Sequence, residues 1–190
     1  LAQFAKDLDG ITDFQKWDSS YYAEKLKKKL FNRDDEKLKP YFKLENVIEG
    51  GFTVANKLFG LTFKKVTNID TYHPEVETYE VYDSNNEFIS IFYGDYFPRP
   101  GKRNGAWMTS YKSQQILNGK NDRPHISNVC NFTKPTDTKP SLLTFDEVTT
   151  LFHEFGHGLH GMLANTTYPS LSGTSVFWDF VELPSQILEN

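Results

Sequence analysis

A single cysteine, Cys130, is all that 190 residues contain, which excludes an internal disulfide and a cysteine-built metal site. It sits in Ile126-Ser127-Asn128-Val129-Cys130-Asn131-Phe132, a strand-like stretch where a small thiol is expected to be buried and inert. No apolar run approaches the roughly 20 residues that a membrane-spanning helix needs, so no membrane role is expected. Charge of one sign is also lacking. The net charge is only -4, with 21 basic and 25 acidic residues, and a dedicated nucleic-acid partner is therefore not expected. The one basic cluster, Lys25, Lys27, Lys28 and Lys29, falls between Tyr22, Leu26 and Leu30 at helical spacing and reads as the solvated side of an amphipathic helix. The chain opens on Leu1 without a secretory signal and closes on Ile187-Leu188-Glu189-Asn190 in mid-helix pattern, which reads as a piece of a longer chain in a soluble setting, cytoplasmic or periplasmic.

What is present organises itself in blocks. Asp18 or Ser19 is placed to cap a helix through Leu30, and a second apolar-periodic run extends from Leu44 to Leu58. Tyr79-Glu80-Val81-Tyr82 and Phe88-Ile89-Ser90-Ile91-Phe92 flank the turn residues Asp83-Ser84-Asn85-Asn86, which predicts a β-hairpin. After a Pro/Gly loop from Pro98 to Gly105, two further strands are expected around Trp107 to Tyr111 and Ile126 to Phe132. The fold expected is mainly α with a small antiparallel sheet, in one domain.

The chemistry concentrates in one predicted helix. Thr144-Phe145-Asp146-Glu147 forms a capping box, so a helix starts there. At about 100° per residue, Val148, Leu151, Phe152, Phe155, Leu159 and Met162 gather on one face, and His153, His157 and His160 project from the other. His153 and His157 lie about one turn apart, which lets both imidazoles reach one metal ion. Glu154, directly after the first histidine, is placed to accept a proton from a water at that metal. Gly156, Gly158 and Gly161 each cost a helix about 1 kcal/mol relative to alanine, so something requires their missing side chains. A substrate backbone or a neighbouring helix would equally supply that requirement.

A catalytic zinc takes three protein ligands and leaves a position for water. Helical character resumes at Trp178-Asp179-Phe180-Val181-Glu182, and both Glu182 and Glu189, about two turns further along a similar face, are candidates for the third ligand. Asp179 fits either an imidazole-orienting role or a simple helix N-terminal carboxylate. Pro184 is expected to bend this helix if it lies inside it. His160 reads as structural or imidazole-supporting, and His73 and His125 as ordinary.

His153-Glu154-Phe155-Gly156-His157-Gly158-Leu159-His160-Gly161-Met162-Leu163, followed by Ser172-Gly173-Thr174 and Asp179-Phe180-Val181-Glu182-Leu183-Pro184-Ser185-Gln186, resembles the thimet oligopeptidase and peptidyl-dipeptidase family of zinc peptidases. The stretch Gly94 to Trp107 and Asn128-Val129-Cys130-Asn131-Phe132 also look like that family, and within it the chain is most similar to bacterial peptidyl-dipeptidases. The resemblance implies that residues 1–190 are part of one zinc-peptidase catalytic domain, truncated at both ends, with a zincin-like core inside a larger helical protein. It implies that His153, His157 and Glu182 ligate Zn2+, that Glu154 is the general base, and that short peptides are the substrates, releasing C-terminal dipeptides. An oligoendopeptidase of the same family and a non-catalytic zinc or peptide-binding module are the alternatives. The segment around Gly105 to Trp107, with Gly-Ala chemistry beside a strand, is expected to bind substrate backbone by edge pairing. Family members carry a later Tyr/His/Gly-rich segment that helps stabilise the oxyanion. This chain ends at Asn190 before any such segment, so the 190-residue piece alone is expected to bind zinc weakly and to have little activity. Oligomeric state is left open.

Overall fold

In the computed structural model, which describes residues 1–31 and 35–190, the apolar-periodic run after Lys43 forms a helix whose buried residues, Leu44, Val47, Ile48, Gly51 and Ala55, recur every three to four positions. The described residues group into two units, Leu1–Leu38 and Lys39–Asn190. The first holds α1 (Ala2–Asp9), α2 (Ser19–Phe31) and α3 (Asp35–Leu38). Within it Tyr22 is buried, its ring edge-on to Phe4, and Tyr22 Oη and Lys25 Nζ both donate to Asp9 Oδ2 at 3.0 Å.

The second unit starts with α4 (Leu44–Phe59) and continues through β1 (Thr62–Val66), β2 (Glu77–Tyr82) and β3 (Phe88–Asp95). The β2–β3 hairpin forms where turn chemistry predicts it. Asp83 Oδ1 accepts from the backbone N–H groups of Asn85 and Glu87, and Asn86 takes a left-handed φ of 63°. Then follow β4 (Trp107–Lys112), the short hairpin β5 (Gln115–Leu117) and β6 (Lys120–Asp122), and β7 (His125–Val129).

The main sheet has the order β1-β2-β3-β7-β4. It is mixed, which corrects the expected antiparallel sheet: β3 and β7 pair in parallel, Ile91 opposite His125 through Asp95 opposite Val129. Parallel neighbours need a long crossover, and the chain supplies one between them that carries β4 and the β5–β6 hairpin. β4 then pairs antiparallel with β7 on one side and forms the edge of the sheet on the other.

α5 (Phe145–Met162) crosses one face of this sheet. Its capping box is complete, with Glu147 N–H donating to Thr144 Oγ1 at 3.1 Å and Thr144 N–H donating to Glu147 Oε2 at 2.8 Å. At its C-terminus, Arg123 donates from Nη2 to Met162 O at 2.6 Å and from Nη1 to Ala164 O at 2.9 Å, so a cation serves the carbonyls at the negative end of the helix. Phe155, Leu159 and Met162 pack with Ala55, Leu61, Tyr79, Val81, Phe92 and Ile126 in one core, and Leu151 joins a second with Leu44, Cys130 and Leu143. Cys130 is fully buried, and burial raises its thiol far above the ordinary range, as an inert core cysteine requires.

The final segment is two helices rather than one, α6 (Trp178–Val181) and α7 (Leu183–Glu189), with Glu182 at the break. Pro184 lies in the first turn of α7, where a missing N–H costs nothing, so it starts a helix instead of bending one.

Candidate active site

From Glu154 to Met162, α5 is buried almost all round, and its glycines explain how. A Cβ on Gly156 would stand 2.6 Å from Pro184 O and 2.6 Å from the Ser185 Cα, so its absence lets α7 lie directly on α5. A Cβ on Gly158 would meet Asn128 Oδ1 at 2.9 Å, and one on Gly161 would meet Ile126 Cδ1 and Met108 Cε at 2.7 Å. The requirement read from the sequence is therefore met by neighbouring elements of this chain, a helix on one side and strands β7 and β4 on the other.

That close approach of α7 brings Glu182 to the histidines. Glu182 Oε2 lies 3.3 Å from His153 Nε2 and 3.1 Å from His157 Nε2, and the two imidazole rings stand 4.9 Å apart at 85° to each other. Ser185, fully buried, donates from Oγ to both Glu182 O and Glu182 Oε2 at 2.8 Å. This hydroxyl, followed by the neighbouring His157 and His153, holds the Glu182 carboxyl below the ordinary range against a smaller effect of burial. Glu189, the other candidate, sits behind His153: its Oε2 is 2.8 Å from His153 Nδ1. The two-turn spacing that made Glu189 a competitor thus places it on the opposite nitrogen of the same imidazole. Asp179 is exposed, and among the described residues no hydrogen bond or ion pair connects it to either histidine. His160 packs edge-on to Phe180 at 6.0 Å, outside the group of three donors, while His73 and His125 lie elsewhere, against Glu75 and Tyr93.

Two donors bound to one tetrahedral zinc at about 2.0–2.1 Å stand roughly 3.3–3.4 Å apart, and the two Glu182–histidine spacings here are close to that. Two imidazole nitrogens and a carboxylate oxygen are also a donor set that a zinc ion with one open position takes. His153, His157 and Glu182 form the one such group of metal-capable side chains among the described residues. The residues present fit the ion.

Glu154 opens onto the same cleft, about 360 Å3 in volume, lined also by Ala106, Trp107, Met108 and Thr174. It is 8% exposed. Burial, with a smaller contribution from Glu182, raises its carboxyl above the ordinary range, opposed by His153. A carboxylate so placed is a better proton acceptor than an exposed one. His157 is 9% exposed, and its burial lowers its pKa, favouring the neutral imidazole that a metal requires. No helix of the described residues is long and apolar enough to cross a membrane.

A helix presents two histidines one turn apart with a carboxylate between them, and the returning segment brings Glu182 to both, a two-histidine, one-carboxylate group that could hold a metal ion. Residues 1–190 match peptidase family M3, and the chain belongs to that family. It is 49% identical over 177 residues to the dipeptidyl carboxypeptidase of Salmonella typhimurium, covering 93% of this chain and 26% of the relative. It is 46% identical over 192 residues to oligopeptidase A of the same organism, covering 100% and 28%. With the organellar oligopeptidase A of Arabidopsis thaliana, identity is 38% over 195 residues, 99% of this chain and 24% of the relative. The chain thus spans about a quarter of the length of the curated relatives it matches.

Proposed function

We propose that this chain carries the zinc-binding and water-activating core of a peptidase that hydrolyses short peptides and releases dipeptides from their C-termini. His153, His157 and Glu182 hold Zn2+ and Glu154 is the general base, and residues 1–190 are part of one catalytic domain with a zincin-like core. The observation that carries the reading is the convergence of His153 Nε2, His157 Nε2 and Glu182 Oε2 at the mouth of the cleft that Glu154 enters.

Held by His153, His157 and Glu182, a zinc ion would act as a Lewis acid, lowering the pKa of a water and polarising a peptide carbonyl. Glu154 takes the proton of the attacking water and, protonated, delivers it to the departing amine, a cycle that a carboxyl raised above its ordinary range by burial favours. Glu189 accepts from His153 Nδ1–H and so holds the ring with Nε2 toward the metal, and Ser185 does the same for the Glu182 carboxylate. The free edge at the start of β4, Trp107 and Met108 with Ala106 just before them, offers its backbone to the peptide by strand addition.

The name of one close relative, dipeptidyl carboxypeptidase, supports dipeptide release, while relatives named oligopeptidase A support internal cleavage as the second reading. Matched free-acid and C-terminally amidated peptides separate the two in the full-length enzyme. Loss of cleavage on amidation is expected; equal cleavage would establish the endopeptidase. A protein that binds zinc and peptide without hydrolysing either peptide set would be a non-catalytic module.

A further inference from the structure

The cleft wall at Ala106, Trp107 and Met108 is the start of an edge strand, and the segment before it has little intrinsic rigidity. Gly101 and Gly105 take φ values of 83° and 91°, left-handed conformations at either end of Lys102-Arg103-Asn104. Two side chains remove the freedom that these glycines permit. Lys102, with a side chain 3% exposed, places Nζ within hydrogen-bond distance of Asp95 O, Asp95 Oδ1, Phe97 O and Cys130 O, at 3.0, 2.9, 2.7 and 2.6 Å. Asn131 acts nearer the cleft. Its Nδ2 donates to Arg103 O at 2.9 Å and to Gly105 O at 2.8 Å, bracketing the last residues before Ala106. Asn131 lies two residues past the end of β7, the strand on which β4 is laid, so both the strand and the loop that feeds it are referred to one support.

We propose that Asn131 is a positioning residue for substrate: by holding the carbonyls of Arg103 and Gly105, it sets where the edge at Ala106 to Met108 stands over the catalytic cleft, and so how tightly a peptide backbone pairs there. The inference rests on the strand-addition reading above. Asn131 is not one of the three grouped donors, and its amide bonds go to Arg103 O and Gly105 O, so the effect expected of it is on binding. Both amide hydrogens are used, which makes the amide group rather than its size the operative feature. Asn131→Asp keeps the shape and sets an oxygen against two carbonyl oxygens, whereas Asn131→Ala merely releases the loop.

The test is steady-state peptide hydrolysis by full-length zinc-loaded Asn131→Ala, Asn131→Asp and Ala106→Pro variants, with zinc content and thermal midpoint measured on each. For Asn131→Ala a rise in KM of about fivefold or more is expected, larger for Asn131→Asp, with kcat within about twofold and zinc content unchanged, the pattern of lost uniform binding. Unchanged KM in Asn131→Ala would overturn the proposal, as would a fall in kcat and zinc content at constant KM, which marks a purely structural role. Ala106→Pro distinguishes the two levels of failure. If it leaves KM unchanged, the strand-addition reading falls and takes the Asn131 role with it. If it raises KM while Asn131→Ala does not, the role of Asn131 alone is wrong.

Discussion

His153 is held from both sides of its ring: Nε2 lies 3.3 Å from Glu182 Oε2 and Nδ1 lies 2.8 Å from Glu189 Oε2. Both carboxylates belong to the α6–α7 segment, seven residues apart, so the packing of that segment on α5 sets the orientation of the imidazole as well as the place of its neighbour. Removing the Nδ1 partner of a metal-binding histidine typically lowers metal affinity about 10–100-fold. Glu189→Ala in the full-length protein is expected to weaken zinc within that range in competition with a chromophoric chelator, while Glu182→Ala weakens it further. Equal zinc affinity in Glu189→Ala and the parent would remove Glu189 from the account.

Gly156 is the contact point of that packing. An added methyl would stand 2.6 Å from main-chain atoms of Pro184 and Ser185, which a rotamer change cannot relieve. Gly156→Ala is expected to lower stability by about 1–3 kcal/mol through overpacking and to weaken zinc binding by displacing Glu182 and Glu189 together. Chemical denaturation and chelator competition on the same variant check both parts. A stable Gly156→Ala protein with parental zinc affinity would show that α7 does not position the ligand set.

Away from His153, His157 and Glu182, Asp95 is 2% exposed and is bound by Arg99 through two bonds of 2.8 Å, by Lys102 at 2.9 Å and by Tyr72 at 3.0 Å. Burial alone would raise its carboxyl, but Arg99, Lys102 and Tyr72 together hold it below the ordinary value of 3.8. A depressed folded pKa means stability that is fully present above 3.8 and lost as pH falls through the lower folded value. Asp95→Asn, which strands Lys102 in the interior, is expected to cost about 3–5 kcal/mol near neutral pH. That difference should shrink as pH falls below 3.8. Urea unfolding of both proteins across that range measures it, and a pH-independent difference would contradict the assignment.

Much of this was legible in the residues. The capping box at Thr144 and Glu147, the run from Leu44, the Asp83-to-Asn86 turn and the buried Cys130 follow from local chemistry, and each has the expected place in the structure. The parallel pairing of β3 with β7 was not legible, because strand direction is decided by a long crossover whose path no local pattern records. Spacing alone left the roles of Glu182 and Glu189 open for the same reason, and the choice of Glu182 rested on the family resemblance. Helical spacing put both on one face, but only the contact made possible at Gly156 decides which meets Nε2 and which meets Nδ1. Asn131 carried no signal of its own, since its two acceptors are carbonyls 26 and 28 residues earlier in the chain.

The proposed division of labour, three side chains holding zinc and Glu154 moving the proton, is tested most directly by zinc content and peptide turnover measured together on full-length Glu154→Gln. One tightly held zinc per chain, as in the parent, is expected, with turnover reduced by about 10²–10⁴-fold. A zinc-loaded Glu154→Gln protein that cleaves peptide at the parental rate would contradict it.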